Sequence, residues 1–473
     1  MRVAESVFLS ITELRAAIQK GDISPAELTQ AYLDRIERLN QRSKAYITVM
    51  QEAANAQAHA VETALHDGRG SGVLAGIPYA CKDLFHARGV VTTAGSRVLK
   101  DHVVSKESAT VVKRLEKAGA ILLGKTNLHE FAYGATGENT HFGTVPNPYD
   151  ESRLAGGSSS GSAAAVACGL AAAGLGTDTG GSVRVPAALC GLVGLKPTMG
   201  RVSTHGVIPY SWSLDHVGTI THTSADAATL LNTIAGYDRQ DPASVDVQVT
   251  DYVKSLSGSI KGLVVGIPRK FYFECVDPEI RDAVDQSLRK LERLGARLTQ
   301  VKMPSMKHMR TVSLVIQMPE ALSYHSRYLV DKEDLYSPDL RAGLAFGQFL
   351  LAEHYVRARR MAQRYRQQMT SVFDVADVIV TPTCPIVAPK IGTATVAMGE
   401  EQEAVGNALT RFTTFFNITG HPALSTPCGM NSGSLPMGVQ IVGRHFDEAT
   451  VLRVGHAIEL NSEFERSLPL LAN

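Results

Sequence analysis

The sequence has almost no excess of charge. Its 47 Lys and Arg are balanced by 46 Asp and Glu, leaving a formal net charge of +1. That balance gives no electrostatic case for nucleic acid or for an anionic membrane surface, so neither is expected as a partner. The opening residues, Met1-Arg2-Val3-Ala4-Glu5, lack the apolar segment of a secretory signal. No apolar run reaches the roughly 18 residues that a membrane-spanning helix requires. The longest small-residue stretch, Ala163 to Leu175, is interrupted by glycine. The six cysteines, at 81, 168, 190, 275, 384 and 428, form no CxxC pair. Such scatter excludes a disulfide framework and a cysteine zinc site, and reduced thiols in the cytoplasm are expected. No repeat, low-complexity linker or clear boundary divides the chain.

What is present suits a globular protein with a large core: 44% hydrophobic and 20% charged residues. Ser10-Ile11-Thr12-Glu13 and Ser24-Pro25-Ala26-Glu27 are capping boxes that open helices, the second continuing over 25–40. Ala-rich residues 45–67 also read as helical, so residues 1–70 form a helical lead-in. From Gly72 the character changes. Residues 73–83 and 120–124 read as buried strands around a helix over 108–119, which indicates α/β architecture with a partly parallel sheet. Further strands are expected near 191–198, 263–268, 376–383, 423–427 and 438–443. Helices are expected over 224–234, 277–295, most of 300–375, and 447–461. Arg357, Arg359, Arg360, Arg364 and Arg366 read as a solvated helix face.

The residues richest in possible chemistry are Gly156-Gly157-Ser158-Ser159-Ser160-Gly161-Ser162 and Gly176-Thr177-Asp178-Thr179-Gly180-Gly181-Ser182. Such glycine density implies backbone shapes that other residues resist. A phosphate loop is disfavoured, because GxxxxGK[ST] is absent and no dinucleotide fingerprint stands in the right place. Gly157 to Gly161 matches GxSxG, centred on Ser159, but residues 147–155 read as polar loop rather than the strand an elbow needs. Only His421 or His445 could then serve as its histidine. Cys81 invites a reactive-thiol reading, which is given little weight. A third reading joins both loops to Lys82. That lysine follows the apolar run Ile77 to Cys81, where desolvation would keep its amine neutral and able to activate a serine. Thr179-Gly180-Gly181-Ser182 would supply unobstructed N–H groups for an oxyanion hole. From composition alone this reading and a structural glycine turn stand level.

The two loops resemble the amidase signature family. So do Gly76-Ile77-Pro78-Tyr79-Ala80-Cys81-Lys82-Asp83, Gly124-Lys125-Thr126-Asn127 and Ser213-Leu214-Asp215-His216-Val217-Gly218. The likeness covers roughly residues 10–460. It implies a single α/β/α domain (1–70 lead-in, 71–220 catalytic region, 221–473 remainder) around a large, twisted, mixed sheet. It also implies a Ser–cis-Ser–Lys triad: Ser182 as nucleophile, Ser158 as bridge after a cis Gly157–Ser158 peptide, and Lys82 as base. The oxyanion hole would be Thr179, Gly180, Gly181 and Ser182, with no metal or organic cofactor. Asp178 and Arg184 would be structural. The chain departs from the family's usual residues at Ser160 and Thr219.

Within that family the chain reads as an independent hydrolase of a small amide, urea or carbamate, with a homodimer as its possible assembly. The alternative is the glutaminase component of a tRNA-dependent amidotransferase. Such components tend to carry Arg-Phe-Asp-Gly where this chain has Ser326-Arg327-Tyr328-Leu329-Val330. They also carry an acid, held to bind the glutamine amine, ahead of the Phe-Thr pair, where this chain has Thr410-Arg411-Phe412-Thr413. The pocket is expected to use Phe131, Tyr133 and Thr136. Phe346, Phe349, Phe412 and Phe415 are candidates for its apolar side, and each reads equally well as core.

Overall fold

The computed structural model describes residues 6–68, 72–102, 104–462 and 469–472. The first five residues, on which the signal-peptide reading rests, lie outside them.

Eleven strands form one mixed sheet: β1 Tyr46–Val49, β2 Pro78–Lys82, β3 Ile121–Thr126, β4 Ala173–Asp178, β5 Val193–Lys196, β6 His216–Thr221, β7 Val264–Ile267, β8 Arg297–Gln300, β9 Val378–Pro382, β10 Ala423–Met430 and β11 Pro436–Gly443. Their spatial order is β1-β3-β2-β4-β6-β5-β10-β11-β9-β7-β8. β2 runs parallel to both β3 and β4, and β7 parallel to β8 and β9. The pairings through β6, β5, β10 and β11 are antiparallel. With helices packed against it, this is the α/β architecture expected. β2, β3, β4, β5, β6 and β9 are buried along their whole length, so their sequences read as continuous apolar or small-residue runs rather than alternating ones.

Local signals formed the helices they promised. Ser10 and Ser24 close reciprocal capping boxes with Glu13 and Glu27, and Gly21 ends the first helix at φ 75°. Asp277 caps Pro278–Arg293. The 300–375 segment resolves into helices Met309–Lys332, Pro338–Gly347 and Ala352–Phe373. On the last, Arg357, Arg360 and Arg364 are exposed, as a solvated face requires, whereas Arg359 and Arg366 are half-buried and Arg359 pairs with the buried Glu320 at 3.4 Å.

Two local expectations fail, and one strand lies where none is expected. Tyr46–Val49 is a strand, and the helix begins only at Gln51. Its aromatic and β-branched side chains pair antiparallel with β3, and that pairing overrides the Ala-rich context. Residues 147–155 are not plain loop: Asp150–Leu154 pairs with Pro146–Asn147 in a separate hairpin. β4 was not foreseen as a strand, because Ala-Gly-Leu-Gly-Thr-Asp carries no β-branched residue before Thr177.

Smallness explains the helix Ser160–Ala167, which is buried at every residue and packs on β2, β3, β4 and β6. A Cβ on Gly161 would strike the Ala45 carbonyl and the Asn127 backbone. The helix can lie this close to the sheet only without larger side chains.

Candidate active site

β2 and β4 run side by side with Cys81 opposite Leu175, so their carboxyl ends meet. Lys82 ends β2, and Thr177 and Asp178 end β4. Lys82 is fully buried. Its Nζ donates to Ser158 Oγ at 2.6 Å and to Thr177 Oγ1 at 2.8 Å. Burial brings its pKa down to about 7, opposed by the carboxylates of Asp215 and Asp178, which favour the ammonium form.

The Gly157–Ser158 peptide is cis. Gly157 N–H donates to the Ala135 carbonyl at 2.7 Å, and the Ser158 carbonyl accepts from His129 N–H at 3.2 Å. The next residue ties the two loops together, with Ser159 N–H donating to the Ser182 carbonyl at 3.2 Å. Among the described residues no hydrogen bond links the hydroxyls of Ser158 and Ser182.

Beyond β4, Thr179-Gly180-Gly181-Ser182 turns into the helix Arg184–Leu189. Gly181 has φ 138°, and a Cβ there would land on the Thr413 hydroxyl. The Gly180 carbonyl accepts from Thr413 Oγ1 at 2.6 Å and from Thr414 Oγ1 at 3.2 Å. In a trans peptide, fixing that carbonyl aims the Gly181 N–H the opposite way. Thr179 Oγ1 donates to Asp215 at 2.6 Å, and Asp215 also accepts the N–H groups of Tyr210 and Ser211.

Asp178 and Arg184 hold this turn from below, both fully buried. Arg184 reaches Asp178 through Nε at 3.0 Å and Nη2 at 2.8 Å. It also donates to Gln440 Oε1 and Asn417 Oδ1, each at 2.7 Å, and to the Thr413 carbonyl at 3.1 Å. Burial alone would raise the Asp178 pKa; the Arg184 guanidinium, with Lys196 and the Asn417 amide, outweighs it and holds the carboxyl well below the usual range. Replacing Arg184 with Met strands that carboxylate without its cation. The expected loss is about 3–5 kcal/mol of stability by denaturant unfolding, and a loss under about 1 kcal/mol would refute the assignment.

A cavity of about 270 Å³ opens above the turn. Ser182, Thr179 and Gly180 line it, together with Tyr133, Tyr210 and Arg310. Of the anticipated pocket residues only Tyr133 is there. Phe131 is buried edge-on against His325, with ring centroids 4.4 Å apart, in a satellite core with Tyr336. Thr136 faces His129 at 3.4 Å. Phe412 and Phe415 belong to the main core, and Phe346 and Phe349 are exposed. Aromatic residues satisfy packing first, and their number says nothing about which face a helix turns to the site.

The rival readings lose their geometry. Cys81 is fully buried, and burial pushes its thiol up to about 12, which makes it inert. The Ser159 hydroxyl is engaged with the Thr177 carbonyl. His421 and His445 stack on each other, with centroids 3.8 Å apart, and neither lines the cavity. Sequence reasoning missed Thr177, Asp215, Thr413 and Thr414 as groups that orient the others. Alternation along β4 could have set Thr177 and Asp178 on opposite faces, but nothing local joins Thr413 to Gly180 across 233 residues.

The profile of the Amidase family matches residues 27–452. The A subunit of glutamyl-tRNA(Gln) amidotransferase from Carboxydothermus hydrogenoformans is 37% identical, over 99% of this chain and 100% of its own. Among solved structures, a chain from a vestigial protein complex that reveals the evolutionary origins of an s-triazine catabolic enzyme has TM-score 0.92 and 33% identity, covering 95% of this chain and 98% of that one. The 6-aminohexanoate cyclic dimer hydrolase bound to its substrate has TM-score 0.90 and 27% identity, covering 99% and 100%. These findings overturn the exclusion of nucleic acid. A relative alike over its whole length is one component of an enzyme named for a tRNA. Whole-chain charge balance fails as a test because one component of an assembly need not carry the nucleic-acid surface itself.

Proposed function

The chain belongs to the amidase family, and we propose that it cleaves a carbon–nitrogen amide-type bond of a small molecule through an acyl-enzyme on Ser182. The observation that carries this is the fully buried Lys82, with a pKa near 7, hydrogen-bonded at 2.6 Å to the Ser158 hydroxyl. Neutral Lys82 takes the Ser158 proton as Ser158 takes that of Ser182. The Ser182 Oγ then attacks the carbonyl carbon. N–H groups of the turn from Thr179 through Gly180 and Gly181 to Ser182 receive the negative oxygen, the Gly181 N–H aimed by the hydroxyls of Thr413 and Thr414. The proton returns through Ser158 to the leaving nitrogen, and water cleaves the ester to release the acid. That one sheet takes its strands from residue 46 through residue 443 supports one catalytic unit. The six unpaired cysteines support a cytoplasmic setting.

Two fates of the released nitrogen fit this chemistry. Likeness to amidotransferase components along the whole chain favours a glutaminase that delivers ammonia within an assembly. The cavity favours hydrolysis of other amides, since no acidic residue lines it among the described residues to hold the glutamine ammonium. The discriminating measurement is release of acid and amine from glutamine and from a panel of amides, ureas and carbamates by the purified chain. Turnover of amides well above that of glutamine is expected for the second reading. Exclusive turnover of glutamine would establish the first.

A further inference from the structure

The cavity holds a single charged side chain among its described lining residues, Arg310. That guanidinium and Arg411 share one carboxylate, Glu403, at 2.7 and 3.3 Å. Two cations on one anion leave a surplus positive charge at the cavity wall. Arg310 bonds Glu403 and the Asn407 carbonyl through Nη2 alone. Its Nε and Nη1 donors have no protein partner among the described residues. A second crevice, of about 720 Å³, shares Met309 and Arg310 with the first. Among the described residues its walls carry Lys270, Lys302, Lys307 and both arginines against Glu274 and Glu403. The approach to Arg310 is therefore cationic, and such clefts concentrate anions.

We propose that the substrate is an anionic amide whose carboxylate pairs with Arg310 while its scissile carbonyl lies at Ser182. This rests on the hydrolase reading of the same site and narrows its substrate class. A neutral amide leaves the surplus charge unmatched. Glutamine brings a carboxylate but also an ammonium, for which the described lining of the cavity offers no acidic side chain. Hence glutaramate, which is glutamine without its amino group, fits better than glutamine.

The test compares glutaramate with its neutral counterpart pentanamide and with glutamine. It also compares N-acetyl-β-alanine, with its carboxylate on the amine side, with N-propylacetamide. At least one anion is expected to exceed its neutral partner in kcat/KM by about 10- to 100-fold, the worth of a charge-assisted bond. In Arg310→Met that ratio should collapse towards one, chiefly through KM, and Arg310→Lys should restore part of it. No anionic preference in either pair, or a ratio that survives Arg310→Met, overturns the proposal. Calorimetric titration with glutarate reads the anion site without turnover: binding to the wild type, at least tenfold weaker in Arg310→Met. Equal binding to both, or none to the wild type, also overturns it. A fluorophosphonate that fails to label Ser182 while glutarate still binds through Arg310 would instead refute the hydrolase reading and leave the anion site standing.

Discussion

Replacing Ser182 with alanine is expected to lower amide hydrolysis by about 10⁴-fold or more, the scale set by removing a nucleophile from a serine relay. The substitution removes one oxygen from a residue that is 7% exposed and lies on the cavity wall. The turn itself is held by Asp178, Arg184, Thr413 and Asp215. Fold and melting temperature should therefore persist while turnover disappears. A fluorophosphonate should label the wild type at Ser182 and leave the alanine variant unlabelled. Activity within about tenfold of wild type, or labelling at Ser159 or Cys81, would end the assignment. Because relay members act as a unit, Ser182→Ala combined with Lys82→Met should be little worse than either alone.

The second large effect concerns protons on Lys82. Only the neutral amine accepts a proton, and burial sets its pKa at about 7. As pH rises through 7 the neutral fraction grows, so kcat/KM should climb and level off at roughly pH 8 and above. Below pH 6 it should fall about tenfold per unit. Lys82→Met deletes the base and should abolish this limb along with nearly all of the rate, about 10³-fold or more. A rate–pH profile of a neutral amide checks this, free of any titration in the substrate. A rise centred near the ordinary lysine value would mean that Lys82 is not the group observed. A flat profile would mean that no base of this kind acts.

How much was legible beforehand differs from residue to residue, for physical reasons. The caps at Ser10, Ser24 and Asp277 were readable because a cap involves only a few neighbouring residues. Gly181 stood out because few residues tolerate φ 138°. Lys82 could be placed at the end of an apolar strand, and its desolvation anticipated from that run. β1 was misread because its structure comes from pairing with β3, some 75 residues away. Phe131 is expected in the pocket and is core instead, whereas Phe412, which reads equally well as pocket or core, is core.

The sequence by itself determined the class of architecture and the two glycine-rich turns, and it offered Lys82, Ser158 and Ser182 as the candidate catalytic groups. Each is a property of a short stretch, set by propensity, glycine conformations or a motif. The tertiary structure decided that β2 and β4 lie side by side and parallel, which sets Lys82 beside Thr177 and Ser158. It decided that Thr413 reaches Gly180 and that Arg310 stands on the same cavity as Ser182. These are contacts between elements far apart in the chain, selected by how the whole core packs. No local pattern encodes them.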